Sequence, residues 1–313
     1  MTEAREIDRI VTMALDEDAP WGDLTSETLI PQAATATAEL VAREPGVLSG
    51  IEVFAAAFRL VDAGIAVEPL AADGEPFAAG QVLARVQGPA RGILRAERVG
   101  LNLVQRMSGI ATLTARYVAE AAGTRARIVD TRKTTPGLRS LERQAVRDGG
   151  GRNHRRSLSD AIMAKDNHLA VLTADGTDLA EALRAARDRM PHTAHLEVEV
   201  DRIDQIEAVL AGGADTIMLD NFTTDELVDG VALIAGRAIV EASGGVSLDT
   251  VAAIAATGVD VISVGALTHS VRSLDLGLDV VVEAPAVAAV AAPAVAPADA
   301  PPAGSVAAPA GQP

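Results

Sequence analysis

From about residue 126 the chain repeats one pattern: a short apolar run, a polar or glycine residue at its end, then a segment of helical period. The runs begin at Ala126, Ile162, His195, Thr216, Ala238 and Val261, and they end at or near Asp130, Lys165, Glu199, Asp220, Ser243 and Gly265. Between them, Leu179–Met190, Ile203–Leu210, Thr224–Ile234 and Leu248–Ala256 carry apolar residues at helical spacing. Such alternation predicts βα units and a parallel sheet. Polar groups recur at nearly every run's C-terminal end. That favours closure into a barrel, which builds its site from several strand ends, over a doubly wound sheet with one switch point.

The first part of the chain reads differently. Residues 5–16 form an amphipathic helix around Ile7, Ile10 and Val11. Ala36–Val47 alternates as a strand, Val53–Val61 is helical, and Ile65–Pro69 and Gln81–Gln87 are short strands set apart by glycine turns. These make a small α/β domain. Arg91–Met107 is helical, and Ser108-Gly109 reads as a break before Ala111–Ala121 resumes. Trp21, the single tryptophan, reads as a local packing anchor. From Ala284 to Pro313 the sequence is Ala, Pro and Val with Asp299 as its one charge, a disordered tail because it lacks core-forming side chains and its prolines stop a helix.

Composition sharpens this. With 313 residues, 49% apolar and 2% aromatic, the core is built from Ala, Val, Leu and Ile. There is no cysteine, hence no disulfide, thiolate metal site or cysteine nucleophile. The acidic start lacks the apolar stretch of a secretory signal, and no apolar run has membrane-spanning length, so a cytoplasmic protein is expected. A net charge of -16 and the scarcity of aromatic residues argue against nucleic acid as a partner.

The charge is unevenly spread. Residues 91–165 hold 16 Arg and Lys against 6 Asp and Glu, whereas the rest of the chain holds 11 against 37. Both lysines of the protein, Lys133 and Lys165, fall in Ile128–His168. A chain that otherwise uses arginine keeps lysine where a compact ammonium fits and a guanidinium does not. The arginines stand beside glycines and strand ends, which a single solvated arginine-rich helix does not explain. An anion site does.

The chemical groups follow from this placement. Asp130-Thr131-Arg132-Lys133, followed by Thr134-Thr135-Pro136-Gly137, sets two cations and three hydroxyls just past a strand end, a clamp for phosphate or carboxylate. Gly149–Gly151 serves either close backbone approach to an anion or a plain turn. Glu199 and Asp220 end neighbouring strands and suit Mg²⁺, sugar hydroxyls or developing positive charge. Glu197 shares a face with Glu199 on a regular strand, so spacing does not choose between them. Ser243-Gly244-Gly245 and Gly265-Ala266 are late-strand loops of the kind that cradle phosphate. Nucleotide P-loop, dinucleotide and HExxH signatures are absent. The composite suits a multiply anionic substrate and a phosphorylated sugar, while Lys165 also leaves a Schiff-base aldolase open.

Several runs together carry a resemblance. DTRKTTPGLR at 130–139, GGGRNHR at 149–155, KDNH at 165–168, EVEV at 197–200, MLDNF at 218–222, EASGG at 241–245 and SVGALTHS at 263–270 resemble the carboxylating nicotinate-nucleotide pyrophosphorylases, the quinolinate phosphoribosyltransferases. GDLTS at 22–26 and ERVGLNLVQRMSGIAT at 97–112 extend the likeness, which spans about residues 5–280.

The resemblance implies an incomplete α/β (TIM-like) barrel over residues 109–269. It also implies an N-terminal α/β sandwich over 1–108, completed by about 270–283, with the tail at 284–313 outside both. The implied reaction joins quinolinate to 5-phosphoribosyl 1-diphosphate, with Mg²⁺, giving nicotinate mononucleotide, pyrophosphate and CO₂. It implies a homodimer with shared active sites, possibly a hexamer. By motif, Arg132, His154, Arg155 and Lys165 grip quinolinate, with Arg98 donated by the partner subunit. Lys133 serves the phosphate groups, Glu199 and Asp220 face Mg²⁺ and the ribose, Ser243, Gly244, Gly265 and Ala266 hold the 5-phosphate, and Thr131 and Gly245 are further substrate-binding residues. Lys165, Glu199 and Asp220 are the expected catalytic set. One departure is Ser157, where similar sequences carry glycine, with Arg156 as an added cation.

Overall fold

The computed structural model describes residues 4–283; the tail expected from residue 284 lies outside them. Helices α1 (Ala4–Asp18) and α2 (Leu24–Leu29) lead into strands β1 (Thr35–Ala42) and β2 (Gly46–Val47), helix α3 (Ile51–Val61), and strands β3 (Ala66–Pro69), β4 (Pro76–Phe77) and β5 (Val82–Pro89). In β1, Ala36, Ala38, Leu40 and Ala42 are buried while Thr35, Thr37 and Glu39 alternate outward. This period of two turns one face of the sheet to the helices. The segment Leu276–Glu283 returns from the far end of the chain and pairs antiparallel with β1, while β5 pairs on the other side of β1 and then with β3.

Helix α4 (Ala90–Glu120) is continuous for 31 residues, so the break read at Ser108-Gly109 is not there. The small residues answer to neighbours instead. A Cβ on Gly109 would sit 2.3 Å from the Arg272 carbonyl oxygen, and the Ser108 hydroxyl accepts from the Ser49 amide at 3.1 Å. A mid-helix glycine costs about 1 kcal/mol relative to alanine, and packing of a 31-residue helix outweighs that. The boundary expected at 108/109 therefore falls inside one helix that packs on α3 and also on the barrel.

After α4 come β6 (Arg127–Val129), α5 (Arg139–Asp148), β7 (Ile162–Ala164), α6 (Asp166–Leu172), α7 (Leu179–Arg189), β8 (Leu196–Val200), α8 (Ile206–Ala211), β9 (Thr216–Asp220), α9 (Thr224–Ile234), β10 (Ile239–Ser243), α10 (Val251–Ala256), β11 (Val261–Ser263), α11 (Ala266–His269) and β12 (Leu276–Glu283). Helix α9 starts on a capping box in which Thr223 and Glu226 satisfy each other's backbone amides. Arg139, Arg143 and Arg147 recur every four residues on α5, so part of the basic stretch is helical after all.

Strands β6 to β11 form one parallel sheet in the order β6-β11-β10-β9-β8-β7. The sheet curls without closing between β6 and β7. At the free edge of β6, Arg152 bridges Val129 in parallel, with Asp130 N–H donating to the Arg152 carbonyl at 3.1 Å. This is the incomplete barrel the motifs imply. Val198, Ile217, Leu219, Val240, Ala242 and Ile262 are buried in the apolar core, while register sets Glu197 beside Thr216, Glu199 beside Met218, Met218 beside Glu241, and Asp220 beside Ser243. The interior is polar. Among the described residues no helix is long and apolar enough to cross a membrane.

Candidate active site

The mouth of the barrel collects most of the expected residues through strand geometry alone. Lys165 follows β7, Glu199 lies in β8, Asp220 and Ser243 end β9 and β10, and Gly265 and Ala266 follow β11. Thr131, Arg132 and Lys133 follow β6, where the Thr131 hydroxyl accepts the Lys133 amide at 3.1 Å and both cations are exposed. Lys165 Nζ donates to Glu199 Oε2 across the neighbouring strands. Asp220 Oδ2 accepts from Asn221 Nδ2 at 2.7 Å. Each acid thus makes a side-chain hydrogen bond through one of its two oxygens.

Gly244 shows why its loop is built from glycine. Its φ is +87°, and a Cβ there would lie 2.1 Å from Asn221 Oδ1. Only glycine tolerates both the left-handed backbone and that approach. The earlier triple glycine has a packing role instead, since a Cβ on Gly149 would meet the Ala111 carbonyl oxygen at 2.3 Å. Of the two readings left open for it, the geometry supports the turn: the three amides donate to the Ala145, Arg147 and Val146 carbonyls, and Gly150 has a φ of +85°.

Beneath the mouth lies a layer that spacing did not disclose. Asp130 is fully buried; its Oδ1 accepts the His154 amide at 2.7 Å and its Oδ2 accepts Asn153 Nδ2 at 2.6 Å. Burial pushes this carboxyl up, opposed by the Arg143 guanidinium at 3.5 Å. These bonds swing the 153–155 segment over the gap beside β6 and aim the His154 ring into the barrel. There Nε2 lies 3.2 Å from Glu197 Oε2 and 3.4 Å from Glu241 Oε1, and Nδ1 accepts the Arg155 amide at 2.7 Å. Burial alone would lower the imidazole's proton affinity; the two carboxylates more than offset it and raise it. With Nδ1 accepting an N–H, the ring proton in this geometry is on Nε2 and faces the two carboxylates.

Both ring nitrogens of His154 are engaged by protein groups in this arrangement, Nδ1 by the Arg155 amide and Nε2 by the two carboxylates. Arg155 donates from Nη1 to the Ala161 carbonyl at 3.2 Å, and burial, then the nearby Arg132 charge, lowers its pKa. Two cations held against each other in this way attract a multiply charged anion. Glu241, missed from sequence, could have been found by its period: it stands two residues before Ser243 on one strand.

His154, Glu197 and Glu241 each offer one ligand atom, all within 4.8 Å, and so have the donor set to chelate a divalent metal. Such an ion would have to displace the Nε2 proton, because Nδ1 faces a donor. Arg98 is not joined to the mouth; it lies exposed on α4 beside Glu97. Ser157 is accommodated without distortion. Asp160 accepts from the Arg156 and Ser157 amides at 2.6 and 2.7 Å and from the Ser157 hydroxyl at 2.8 Å, and Arg156 pairs with Glu6 of α1. Trp21 is 94% exposed, so among the described residues it is not the local packing anchor expected.

The chain resembles known proteins along most of its length. Residues 23–108 match the family model described as quinolinate phosphoribosyl transferase, N-terminal domain, and residues 110–279 match its C-terminal domain. It is 45% identical over 278 residues to the nicotinate-nucleotide pyrophosphorylase [carboxylating] of Mycobacterium leprae, covering 86% of this chain and 95% of that one. The probable enzyme of the same name from Bacillus subtilis is 43% identical over 264 residues, covering 84% and 90%. Among solved structures, NadC from Streptococcus pyogenes superposes with a TM-score of 0.85 at 38% identity, covering 90% of this chain and 99% of that one.

Proposed function

This chain belongs to the quinolinate phosphoribosyl transferase family, and from that premise we propose how its residues divide the work. The reaction joins quinolinate to 5-phosphoribosyl 1-diphosphate and releases nicotinate mononucleotide, pyrophosphate and CO₂. The observation that supports the assignment of the ring site is the closeness of Arg132 and Arg155, whose charges act on one another, with Arg155 also reaching Met163 of β7, two residues before Lys165. These three cations take the two carboxylates of quinolinate, and a guanidinium matches a carboxylate with two parallel hydrogen bonds. His154 serves this group by holding the Arg155 backbone through Nδ1. Arg98 reaches the same site from a second copy of the chain, in a homodimer with shared active sites that a hexamer would repeat. Residues 1–108, with 270–283, are assigned to the N-terminal unit, 109–269 to the barrel, and the enzyme to the cytoplasm.

Lys133 and Thr131 take the sugar phosphates, and Ser243, Gly244, Gly245, Gly265 and Ala266 surround the 5-phosphate with backbone amides. The two carboxylates at neighbouring strand ends fit Mg²⁺, a hard cation that uses one or two carboxylates plus substrate oxygens. Glu199 and Asp220 would hold it, and it would neutralise charge on the departing pyrophosphate. As the bond to pyrophosphate loosens, positive charge develops on the ribose, and the same two carboxylates stabilise it. The pyridine nitrogen bonds to the ribose carbon. When CO₂ leaves, its bonding electron pair remains on the ring carbon, where Lys165 and the arginines stabilise it until a proton from solvent forms the C–H bond of the product.

A relative that used nicotinate would leave one group of cations unpaired, a costly arrangement in a partly buried site. Release of CO₂ and pyrophosphate from quinolinate, with nicotinate as the control, tests the reading. No turnover of quinolinate, or equal turnover of nicotinate, would reject it.

A further inference from the structure

One buried ion pair outside the mouth touches both sides of the phosphate site. Arg106 of α4 reaches Glu142 of α5, with Nη2 at 2.8 Å and Nε at 3.1 Å from Oε1. Glu142 is 1% exposed. The same guanidinium donates to Thr135 Oγ1 at 3.2 Å, to the Thr268 carbonyl at 2.5 Å and to the Val271 carbonyl at 3.4 Å. Glu142 Oε2 in turn accepts the Thr135 amide at 3.1 Å, and the buried Thr268 hydroxyl donates to the Lys133 carbonyl at 2.7 Å. Four segments meet here: α4, α5, the 131–135 loop and the 265–271 segment.

We infer that Arg106, Glu142 and Thr268 are positioning residues that lock the Lys133 loop onto the Gly265–Thr268 segment, and so set the distance between the two halves of the phosphate site. The inference rests on the reading above, in which Lys133 and Gly265 serve the phosphates of the sugar substrate. The physical reason is geometric. Lys133 and Gly265 belong to loops from neighbouring strands, and a phosphoribosyl group touches both ends of such a site at once. A loop free to shift by an ångström loses much of the affinity that convergent contacts provide. A guanidinium's rigid fork of five donors can serve four acceptors together, which the three donors of a lysine ammonium cannot. Quinolinate's cations, Arg132 aside, come from other segments, so the lock acts on one substrate more than the other.

Steady-state kinetics of the full-length protein test this, with KM measured separately for 5-phosphoribosyl 1-diphosphate and for quinolinate. Thr268→Val removes only the hydroxyl that holds the Lys133 carbonyl. It should raise the phosphoribosyl KM by roughly tenfold, the effect of one lost buried hydrogen bond, and leave the quinolinate KM within about twofold. Thr268→Ser, which keeps the hydroxyl, should restore the wild-type value. Arg106→Lys should show the same bias with a larger effect; if that variant does not fold, the Thr268 pair decides. Lys133→Ala separates the two levels. If Lys133→Ala leaves the phosphoribosyl KM unchanged, the assignment of Lys133 fails and the inference with it. If Lys133→Ala raises that KM while Thr268→Val raises neither, or raises both equally, the lock is overturned and the Lys133 assignment stands.

Discussion

Glu197 and Glu199 stand two residues apart on β8 and share the inner side of the barrel, yet they occupy different chemical levels. Glu199 reaches the mouth and pairs with Lys165, whereas Glu197 is buried below it against His154. Glutamine at the two positions should therefore have different consequences. Glu199→Gln should lower kcat by about 10²-fold, as expected for loss of one charge that stabilises the transition state, with a small change in melting temperature. Glu197→Gln should act on quinolinate binding through His154 and Arg155, raising that KM. Kinetics of the two variants side by side decide the matter; the same kcat defect in both would count against the division of levels.

Asp130 carries more of the local structure than its position at a strand end suggests. Its carboxylate accepts from His154, Asn153 and Arg143. Asp130→Ala would leave the buried Arg143 charge and two donors without their acceptor, at a cost of about 3–5 kcal/mol. Chemical denaturation should show this loss, and quinolinate turnover should fall with it because His154 is no longer aimed into the barrel.

A pH dependence of stability follows from the junction between α5 and the first part of the chain. Asp148 accepts the Ser49 hydroxyl at 2.6 Å, and Asp73 accepts the Ile51 amide at 3.0 Å and Gln144 Nε2 at 3.2 Å. Burial pushes both carboxyls up, and Asp73 adds to the rise at Asp148. The folded state thus favours their protonated forms. Their stabilising contribution is complete below the ordinary carboxylate range and is lost as pH rises through the raised values. Asp148→Asn keeps an acceptor for Ser49 and removes the charge. It should raise the melting temperature at neutral pH and flatten its decline between about pH 4 and 7. An unchanged profile in this variant would remove Asp148 as the source.

Gly244→Ala should be costly for its size. It imposes a side chain on a left-handed backbone, worth about 1–2 kcal/mol, and drives a methyl into Asn221 Oδ1. Because Asn221 holds Asp220, the damage should appear as a raised phosphoribosyl KM as well as lowered stability. Gly245→Ala, with no atom within 4 Å of the new Cβ, should show the smaller kinetic defect of the pair.

The order of strands and helices was legible in the sequence because burial repeats locally. Period two marks a half-buried strand and a period near 3.6 a packed helix, whatever lies on the other side. Thus Thr224–Ile234 is a helix over the residues its pattern predicts, and the six apolar runs are the six barrel strands. The residues of the mouth were legible for the same reason, since the end of a strand can be read in one dimension. The α5 helix was not, because its buried face has only Leu141, Ala145 and Val146 as apolar residues and fills the rest with Glu142 and Gln144, which read as polar in one dimension. Ser108-Gly109 read as a break for want of the Arg272 carbonyl that presses on it from residues far along the chain. The choice between Glu197 and Glu199, the burial of Glu241 with His154 and the junction at Arg106 are through-space facts. They depend on which segments the closing sheet brings together, and one-dimensional spacing holds no record of that.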